Sequence, residues 1–276
     1  MIAQLPRLHA VTDDRVVAAG RVVERAGRMA EAAGLALAVH VRTRALDGAA
    51  LLDLACRVKD AVAPHGSWLV VNDRADVARA AGARAIVAGR SGLAVRDIGH
   101  VAPGIPVARS VHDAPAARAA EAEGADFLVA GAVFETPSHP GVPAGGAGLI
   151  RDAASGGRQV IAIGGMTPGN ARGIVEAGAW GVAAIRALWD APDPAEAARA
   201  FVAALPATPT VALVVNGESR AAPEGTTLAG LLAQLGLDPR AVVVEHNRRI
   251  VRRDALDATR LADGDAIELI HFVGGG

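Results

Sequence analysis

The sequence predicts an α/β protein of two domains, a (β/α)8 barrel followed by a small α+β domain. Over residues 1–205, short β-branched or apolar runs alternate with longer alanine-rich amphipathic stretches, which is the pattern of parallel strands joined by crossover helices. Pro206 and Pro209 then end this pattern, because proline cannot continue a helix and favours an extended connector. We therefore predict domains at 1–205 and 210–276, joined by a proline-rich linker.

Eight strand–helix pairs fit into the first domain, which predicts a compact TIM barrel. Apolar residues at three- and four-residue spacing predict helices, most clearly over 16–33, 46–62, 114–123 and 170–177. An open, doubly wound sheet is the alternative, and it is disfavoured because no glycine-rich dinucleotide-binding turn follows the first strand. The predicted strands are 8–11, 35–41, 68–71, 85–87, 107–110, 127–130, 160–163 and 181–185.

The composition excludes several classes of protein. Of 276 residues, 51% are hydrophobic and 21% are charged, and 28 basic against 29 acidic side chains give a formal net charge of -1. This balance argues against a nucleic-acid partner. The single cysteine, Cys56, excludes an internal disulfide framework. No secretory segment and no uncharged apolar run of about 18 residues is visible, so we expect no membrane association and a cytoplasmic location.

The second domain is predicted to be a small mixed sheet with one helix packed across it. Asn216-Gly217 between two apolar runs is a strong hairpin signal, and Gly236 stops the helix predicted over 227–235. The chain ends with three glycines, which by themselves are typical of a loose tail. Further strands are predicted at 211–215, 242–246, 250–251 and 267–272.

Motifs spread over the second domain carry a family resemblance. They are Val215-Asn216-Gly217-Glu218, Gly225-Thr226-Thr227-Leu228, Val243-Val244-Glu245-His246-Asn247, Leu261-Ala262-Asp263-Gly264-Asp265 and His271-Phe272-Val273-Gly274-Gly275-Gly276. With them, the domain resembles the ubiquitin-like, β-grasp sulfur carriers of thiamine biosynthesis. The resemblance implies that the carboxylate of Gly276 is adenylated and then holds sulfur as a thiocarboxylate, while Gly275 gives clearance in narrow enzyme channels. It also implies two partners, the adenylating enzyme that loads the carrier and a thiazole synthase.

Residues that follow the barrel strands are the candidates for an active site, because such barrels place their sites at the carboxyl ends of the strands. After the seventh strand, Gly164-Gly165 is followed by Thr167 and Pro168, which suit the N-cap and first turn of a helix. The eighth strand leads into Ala184-Ile185-Arg186. Loops seven and eight form the usual phosphate position of this fold. These residues therefore predict a phosphate site, with a tight structural turn as the alternative for the glycines.

A second resemblance covers residues 1–205. The motifs are Leu8-His9-Ala10-Val11-Thr12-Asp13-Asp14, His40-Val41-Arg42-Thr43-Arg44, Val71-Asn72-Asp73-Arg74, Ala108-Arg109-Ser110-Val111-His112, Gly131-Ala132-Val133-Phe134-Glu135-Thr136, Gly141-Val142-Pro143-Ala144 and Ile161-Ala162-Ile163-Gly164-Gly165-Met166-Thr167-Pro168. They identify the barrel as a member of the thiamine-phosphate synthase and thiazole tautomerase superfamily. Membership implies a phosphorylated thiazole as substrate and a homo-oligomer.

The synthases of this superfamily join a pyrimidine diphosphate to a thiazole phosphate and release pyrophosphate. They usually hold Mg²⁺ between two carboxylates, since this ion requires hard oxygen ligands. Asp73 matches the first carboxylate, but the pattern Gly-Gln-x-Asp reads Gly89-Arg90-Ser91-Gly92, so the second is missing. The pattern Phe-Pro-Thr-x-Thr-Lys reads Phe134-Glu135-Thr136-Pro137-Ser138-His139. Arg42 and Arg44 remain able to bind a diphosphate, which keeps an Mg²⁺-dependent synthase, a transferase, as the alternative.

The departures from the synthase pattern lead us to expect a thiazole tautomerase, an isomerase that needs an acid/base group and no cofactor. The family places a histidine for this task in Gly-His-Val-Phe-Glu-Thr, where this chain has Ala132. His112, His139 and Glu135 are then the acid/base candidates, and histidine titrates closest to neutral pH. A non-catalytic docking or phosphate-binding module is a third alternative. The predicted substrate- and phosphate-binding residues are Arg42, Arg44, Asn72, Arg109, Thr136, Gly164, Gly165, Ala184, Ile185 and Arg186.

Overall fold

A computed structural model of the chain describes residues 5–136, 144–207 and 210–271. From Pro6 onward it divides into two compact units, one spanning Pro6–Pro206 and the other containing the residues that follow from Ala207. Each unit encloses a hydrophobic core of its own. The division falls within the predicted linker, of which Thr208 and Pro209 lie outside the described residues.

The first unit is a closed barrel of eight parallel strands, as the sequence predicts. The strands pair in chain order, and β1 (Leu8–Val11) closes the ring by pairing with β8 (Gly181–Ala184), which excludes the open, doubly wound sheet. Every residue of these two strands is buried, because parallel sheets of this kind are covered on both faces. The other strands are β2 (Leu37–Val41), β3 (Trp68–Asn72), β4 (Ala85–Ala88), β5 (Val107–Val111), β6 (Phe127–Ala130) and β7 (Gln159–Ile163).

Helices cover the barrel and bury one apolar face each. In the helix over Val22–Ala33, the buried residues Val22, Ala26, Met29 and Ala30 recur at three- and four-residue spacing.

Among the described residues, no helix is both long enough and apolar enough to cross a membrane. The helices of the first unit are α1 (Asp14–Ala18), α2 (Val22–Ala33), α3 (Gly48–Val62), α4 (Ala75–Ala81), α5 (Val95–Val101), α6 (Ala114–Ala122), α7 (Gly146–Ala154), α8 (Pro168–Glu176), α9 (Arg186–Trp189) and α10 (Pro194–Ala204).

Most predicted elements end within one or two residues of the observed ones, and two differences have a clear backbone cause. The stretch 16–33 was predicted as one helix and forms two, α1 and α2, on either side of Gly20, whose φ is +71°. A residue in this left-handed region interrupts a right-handed helix, and glycine adopts it without a steric penalty. The second strand begins at Leu37 rather than at residue 35, because Gly34–Ala36 form a turn of 3-10 helix.

The second unit is a five-stranded mixed sheet with one helix across it. Its elements are β9 (Thr210–Val215), β10 (Glu218–Pro223), α11 (Leu228–Gln234), β11 (Val242–His246), β12 (Arg249–Val251) and β13 (Asp265–His271). The strand order is β10-β9-β13-β11-β12, in which β13 runs parallel to β9 and the other neighbours are antiparallel. Asn216 and Gly217 connect β9 and β10 with φ of +49° and +79°, the backbone of a two-residue hairpin turn.

The core of the second unit lies between the sheet and α11. Along β9 exposed and buried residues alternate, as the two-residue repeat of a strand requires. Its buried side chains Leu213 and Val215 belong to the same hydrophobic cluster as Leu231 and Leu232 of the helix. One face of the sheet is therefore apolar and covered, which is the arrangement that the sequence predicts.

Candidate functional site

A cavity of about 500 Å³ opens where the barrel strands end, which is where this fold places its active sites. The volume suits a small-molecule ligand. The charged side chains in its lining are Arg90 and Arg186, accompanied by His112, and no carboxylate lines it among the described residues. Seven of the predicted residues line this cavity: His112, Thr136, Gly164, Gly165, Ala184, Ile185 and Arg186.

Gly164 and Gly165 form the turn that follows β7. Their φ values are +106° and +64°, a region that favours glycine. The loop after β6 packs closely on them: a Cβ on Gly164 would lie 2.7 Å from the Cα of Ala132, and one on Gly165 would lie 2.6 Å from the Cβ of Phe134. The turn and the loop packing therefore both require glycine, and the same turn contributes to the cavity lining.

The start of α8 holds this glycine turn in place. Pro168 is in the first turn of the helix, where its missing N–H is not needed. The side chain of Asn170 accepts a hydrogen bond from the N–H of Thr167 at 2.9 Å and donates one to the carbonyl of Gly165 at 3.0 Å. The backbone before α8 is thus fixed on both sides of Met166, as a preformed anion site requires.

Arg186 approaches the same side of the cavity from the next strand. It follows β8 as the first residue of α9 and is exposed, whereas Ala184 is buried and Ile185 is half-buried. Because β7 and β8 are neighbours in the barrel, the guanidinium and the glycine turn stand on adjacent loops. A guanidinium beside a glycine-rich turn is suited to bind a phosphate group.

His112 lies at the end of β5 and its ring is held by one defined contact. Its Nδ1 donates a hydrogen bond to the carbonyl oxygen of Gly131. Since a carbonyl oxygen only accepts, Nδ1 carries the hydrogen. Nε2 is then the ring nitrogen that can take up or release a proton in the cavity.

Arg90 is a cavity residue that the sequence analysis did not predict as part of the site. It follows β4, in a loop that two side chains from neighbouring strands hold. The carboxylate of Asp73 accepts a hydrogen bond from the N–H of Gly89 at 2.6 Å. From the other side, Arg109 donates to the carbonyl oxygens of Leu93 at 2.7 Å and of Arg90 at 3.4 Å. The available signal was a cation two residues after the end of a barrel strand, at a position where the synthase pattern has another residue.

Other predicted residues lie outside the cavity lining: Arg42, Arg44, Asn72, Arg109 and Glu135. The loop after β2 is tied to Asp14, which accepts hydrogen bonds from the Thr43 hydroxyl and from the N–H of Arg44. These bonds lower the pKa of the Asp14 carboxyl. His139, Gly275 and Gly276 lie outside the described residues.

Two buried histidines form a hydrogen-bonded chain inside the barrel. His9 Nε2 lies 2.9 Å from the carbonyl oxygen of Pro6, and His9 Nδ1 lies 2.7 Å from Nε2 of His40. Because the carbonyl only accepts, neutral His9 must accept at Nδ1, so His40 donates from Nε2. Burial lowers the pKa of His9 to about 4 and, with the neighbouring His9, lowers that of His40 well below its usual range. At the end of this row of hydrogen-bonded side chains, Asn72 makes a hydrogen bond with His40. This contact accounts for the position of Asn72 outside the cavity lining.

The residues near Asp73 do not fit a two-carboxylate magnesium site. Its Oδ1 accepts the bond from Gly89, and a Cβ on Gly92 would lie only 2.9 Å from this oxygen, so the loop backbone fills the space beside the carboxylate. Gly92 supplies no oxygen ligand from a side chain. Within the described residues, no cluster of three or more His, Cys, Asp or Glu side chains is arranged to hold a metal ion.

The fold and the cavity define a class of protein: a (β/α)8 barrel with a cationic cavity at its carboxyl end, joined to a ubiquitin-like domain. Within this class, residues 8–188 match the sequence profile of the thiamine monophosphate synthase family, TMP-TENI, and the chain belongs to that family. Residues 183–276 match the ThiS family.

Individual relatives agree with this assignment. The chain is 40% identical to a thiamine-phosphate synthase of Salinispora arenicola over 207 residues, which make up 74% of this chain and 99% of that one. It is also 40% identical over 167 residues to the thiamine biosynthesis bifunctional protein ThiM/ThiE of Symbiobacterium thermophilum, which is 59% of this chain but 35% of that protein. Among solved structures, a thiamine phosphate pyrophosphorylase from Pyrococcus furiosus is similar with a TM-score of 0.64 at 25% identity, covering 74% of this chain and 97% of that one.

These comparisons confirm the predicted combination of a thiamine-biosynthesis barrel with a ThiS-like domain. They do not support the tautomerase that the sequence analysis expected, and they favour its alternative, the synthase. The tautomerase expectation rested on local departures such as Gly92 and Glu135. Similarity along almost the whole barrel outweighs these few positions.

Proposed function

We propose that the barrel is a thiamine-phosphate synthase and that the C-terminal domain is a sulfur carrier. The observation that carries the first part is 40% identity with a thiamine-phosphate synthase over 99% of that protein's length. The cavity supports it, because a glycine turn and Arg186 offer a place for the phosphate of a thiazole substrate.

In the proposed reaction, the thiazole nitrogen forms a bond to the methylene carbon of the pyrimidine while the carbon–oxygen bond to the diphosphate breaks. The diphosphate leaves with the electron pair of that bond. The protein has to hold the two substrates in line and to stabilise the negative charge of the leaving group. Gly164, Gly165 and Arg186 are the residues that would bind the thiazole phosphate.

The deciding experiment supplies the purified protein with pyrimidine diphosphate, thiazole phosphate and Mg²⁺ and follows thiamine phosphate by chromatography. We expect turnover at a rate similar to that of a synthase run in parallel. No product, with a working control enzyme, would contradict the synthase proposal.

The phosphate role of Arg186 has a separate test in binding. Arg186→Gln should weaken the affinity for thiazole phosphate by at least about tenfold, since a charge-assisted hydrogen bond is lost. Arg172→Gln is the matched control, because Arg172 is exposed on α8 and does not line the cavity. Equal affinities of the two variants, measured by isothermal titration calorimetry, would remove Arg186 from the site.

A specific observation keeps the thiazole tautomerase as a second candidate. The cavity lining contains His112 with Nδ1 fixed on Gly131, and no carboxylate among the described residues, so a proton transfer through Nε2 is available. The test adds the unstable thiazole tautomer to the wild type and to His112→Gln. If the wild type converts the tautomer and His112→Gln does not, the result supports this candidate. Equal rates of conversion by the two proteins would contradict it.

For the second domain we propose that the carboxylate of Gly276 becomes a thiocarboxylate, as the match to the ThiS family supports. Removing Gly275 and Gly276 should abolish loading by an adenylating enzyme and a sulfur donor, measured by intact mass. The full-length chain in the same reaction is the control. A thiocarboxylate on the truncated chain would contradict the assignment.

The partners proposed here follow from the same chemistry. An adenylating enzyme has to activate the carboxylate, and a thiazole synthase has to accept the sulfur. We also propose that the barrel forms a homo-oligomer. Co-purification with each enzyme and light scattering of the purified chain test these points, and a monomer at micromolar concentration would contradict the last.

A further inference from the structure

At one end of the cavity, the loop after β4 differs in charge from the synthase pattern. Where the synthase pattern has a carboxylate, this chain has Gly92, and the remaining carboxylate, Asp73, is occupied by the N–H of Gly89. The same loop carries Arg90 into the cavity lining. This end of the cavity therefore has a permanently charged guanidinium where the synthase pattern has a second metal-ligating oxygen.

The loop is built to keep Arg90 in position. Asp73 holds its beginning at Gly89, and Arg109 donates hydrogen bonds to the carbonyls of Arg90 and Leu93. The N–H of Gly92 donates to the carbonyl of Gly89 at 3.0 Å, which closes a turn around Arg90. These contacts involve only the backbone of Arg90, so its guanidinium is not used by them.

Arg90 and Arg186 enter the cavity from opposite sides. In the closed ring of eight strands, β4 is four places from β8 in either direction. One cation thus follows β4 and the other follows β8, and both line the same cavity of about 500 Å³. With no carboxylate in the lining among the described residues, two separated cations match ligands that present an anionic group at each end.

We propose that Arg90 directly binds a second anionic group, opposite the phosphate held near Arg186, and that binding at this end does not depend on a divalent metal ion. The proposal rests on the proposed function, since that function places the first phosphate. The second group is either the diphosphate of a co-substrate or a carboxylate on the thiazole ring itself. Both present oxygen atoms that a guanidinium binds through paired hydrogen bonds.

The test measures binding to the full-length chain by calorimetry, first with inorganic pyrophosphate in EDTA and then with Mg²⁺. The wild type should bind pyrophosphate with the same affinity in both buffers, within about twofold. Arg90→Gln should weaken binding in EDTA by at least about tenfold, because it removes the positive charge. The substitution leaves the backbone carbonyl of residue 90, to which Arg109 donates, so the loop keeps this contact. Arg96→Gln is the matched control, since Arg96 is an exposed residue of α5 outside the cavity lining.

The source of the anion is separated by two further probes, thiazole phosphate with and without a ring carboxylate. If Arg90→Gln weakens pyrophosphate binding, the group is a diphosphate. If it selectively weakens binding of the carboxylated thiazole, the group is on the thiazole. Equal weakening of all three probes, or no weakening of any, overturns the proposal, as does pyrophosphate binding by the wild type that requires Mg²⁺.

These results are independent of the synthase assay. An Arg90-dependent affinity without thiamine phosphate formation would leave the inference standing and remove the synthase. Turnover with an Arg90→Gln variant that binds every probe like the wild type would keep the synthase and remove the inference.

Discussion

Arg109 is a residue whose part in the site differs from the one that its sequence position predicts. We expected it to bind substrate, because it belongs to the family motif Ala108-Arg109-Ser110-Val111-His112, although it lies in the middle of β5. Its guanidinium donates instead to two carbonyls of the loop after β4. Under the proposed anion site, Arg109 is therefore a positioning residue for Arg90, and we expect its effect on a ligand to pass through that loop.

This relation predicts a coupling between the two arginines. Arg109→Gln should weaken pyrophosphate binding in EDTA by about fivefold, because Arg90 loses its support, and Arg90→Gln/Arg109→Gln should be no weaker than Arg90→Gln alone. Arg109→Lys should recover part of the loss, since an ammonium still donates to a carbonyl. The affinities are measured by calorimetry. Losses that simply add in the double variant would contradict the positioning role.

At the scale of elements, β1 and β2 are linked in the barrel interior by the His9–His40 pair as well as by their ladder. Both histidines have pKa values lowered by burial, so the folded barrel binds fewer protons than the unfolded chain below about pH 6.5. The contribution of the neutral histidines to the free energy of unfolding is fully present above that pH. This contribution is lost as the pH falls toward the pKa of His9 in the folded barrel, about 4.

We therefore expect the free energy of unfolding of the barrel to decrease steadily from pH 6.5 to 4, with the unfolded barrel taking up about two more protons than the folded one. His40→Gln should reduce this slope, whereas His65→Gln, at an exposed histidine, should leave it unchanged. Urea unfolding followed by tryptophan fluorescence reports on the barrel alone, because the three tryptophans lie at Trp68, Trp180 and Trp189. A variant slope equal to that of the wild type would show that the pair does not set the pH dependence.

The contact between the loops after β6 and β7 is the second element-scale feature with a measurable consequence. Gly164 has a φ of +106° and no room for a Cβ beside Ala132. Gly173 lies in α8 with nothing within 4 Å of a Cβ. The two glycines have opposite expected responses to alanine, because the first is strained by a side chain and the second only gains helix propensity.

Gly164→Ala should destabilise the barrel by more than about 1 kcal/mol and weaken thiazole phosphate binding. Gly173→Ala should stabilise it by about 0.5 to 1 kcal/mol with unchanged binding. Urea unfolding with tryptophan fluorescence and calorimetry measure the two effects. Gly164→Ala with the stability of the wild type would mean that the loops adjust freely, and would remove the argument for a preformed site.

At the scale of the whole molecule, two units with separate cores are joined in one chain. Under the proposed function, the carrier gives sulfur to the enzyme that makes the thiazole, and the barrel consumes that thiazole. A covalent link raises the effective concentration of the barrel at the place where its substrate is released. We propose that this is what the fusion contributes.

Expressing 1–205 and 210–276 as separate chains should slow coupled formation of thiamine phosphate by at least about tenfold at micromolar protein, where a linked domain has an effective concentration near the millimolar range. The rate with preformed thiazole phosphate should be the same for the separated barrel and the fused chain. A reconstituted reaction with the adenylating enzyme and a thiazole synthase measures both rates. Equal coupled rates would contradict the proposed advantage.

Most of the fold could be predicted because its signals are local. Apolar runs gave β1 and β6 with the observed boundaries, and Asn216-Gly217 gave the hairpin of the second unit. The exceptions arise from backbone conformations that periodicity does not show, such as the left-handed Gly20 that divides α1 from α2. The glycine turn and Arg186 could also be predicted from local signals, because they follow barrel strands and this fold places its active sites where the strands end.

The sequence by itself determined the alternation of strands and helices, the presence of a second domain and the superfamily, because these follow from spacing, turn chemistry and motifs. The tertiary structure decided that the sheet closes, since the pairing of β1 with β8 joins the two ends of the first unit. Only the tertiary structure decided which side chains share the cavity. It brought Arg90 opposite Arg186, directed Arg109 to a loop, and joined Asn72 to a buried histidine chain. The physical reason is that a side chain's partners lie on neighbouring strands far apart in the chain, where no local pattern records them.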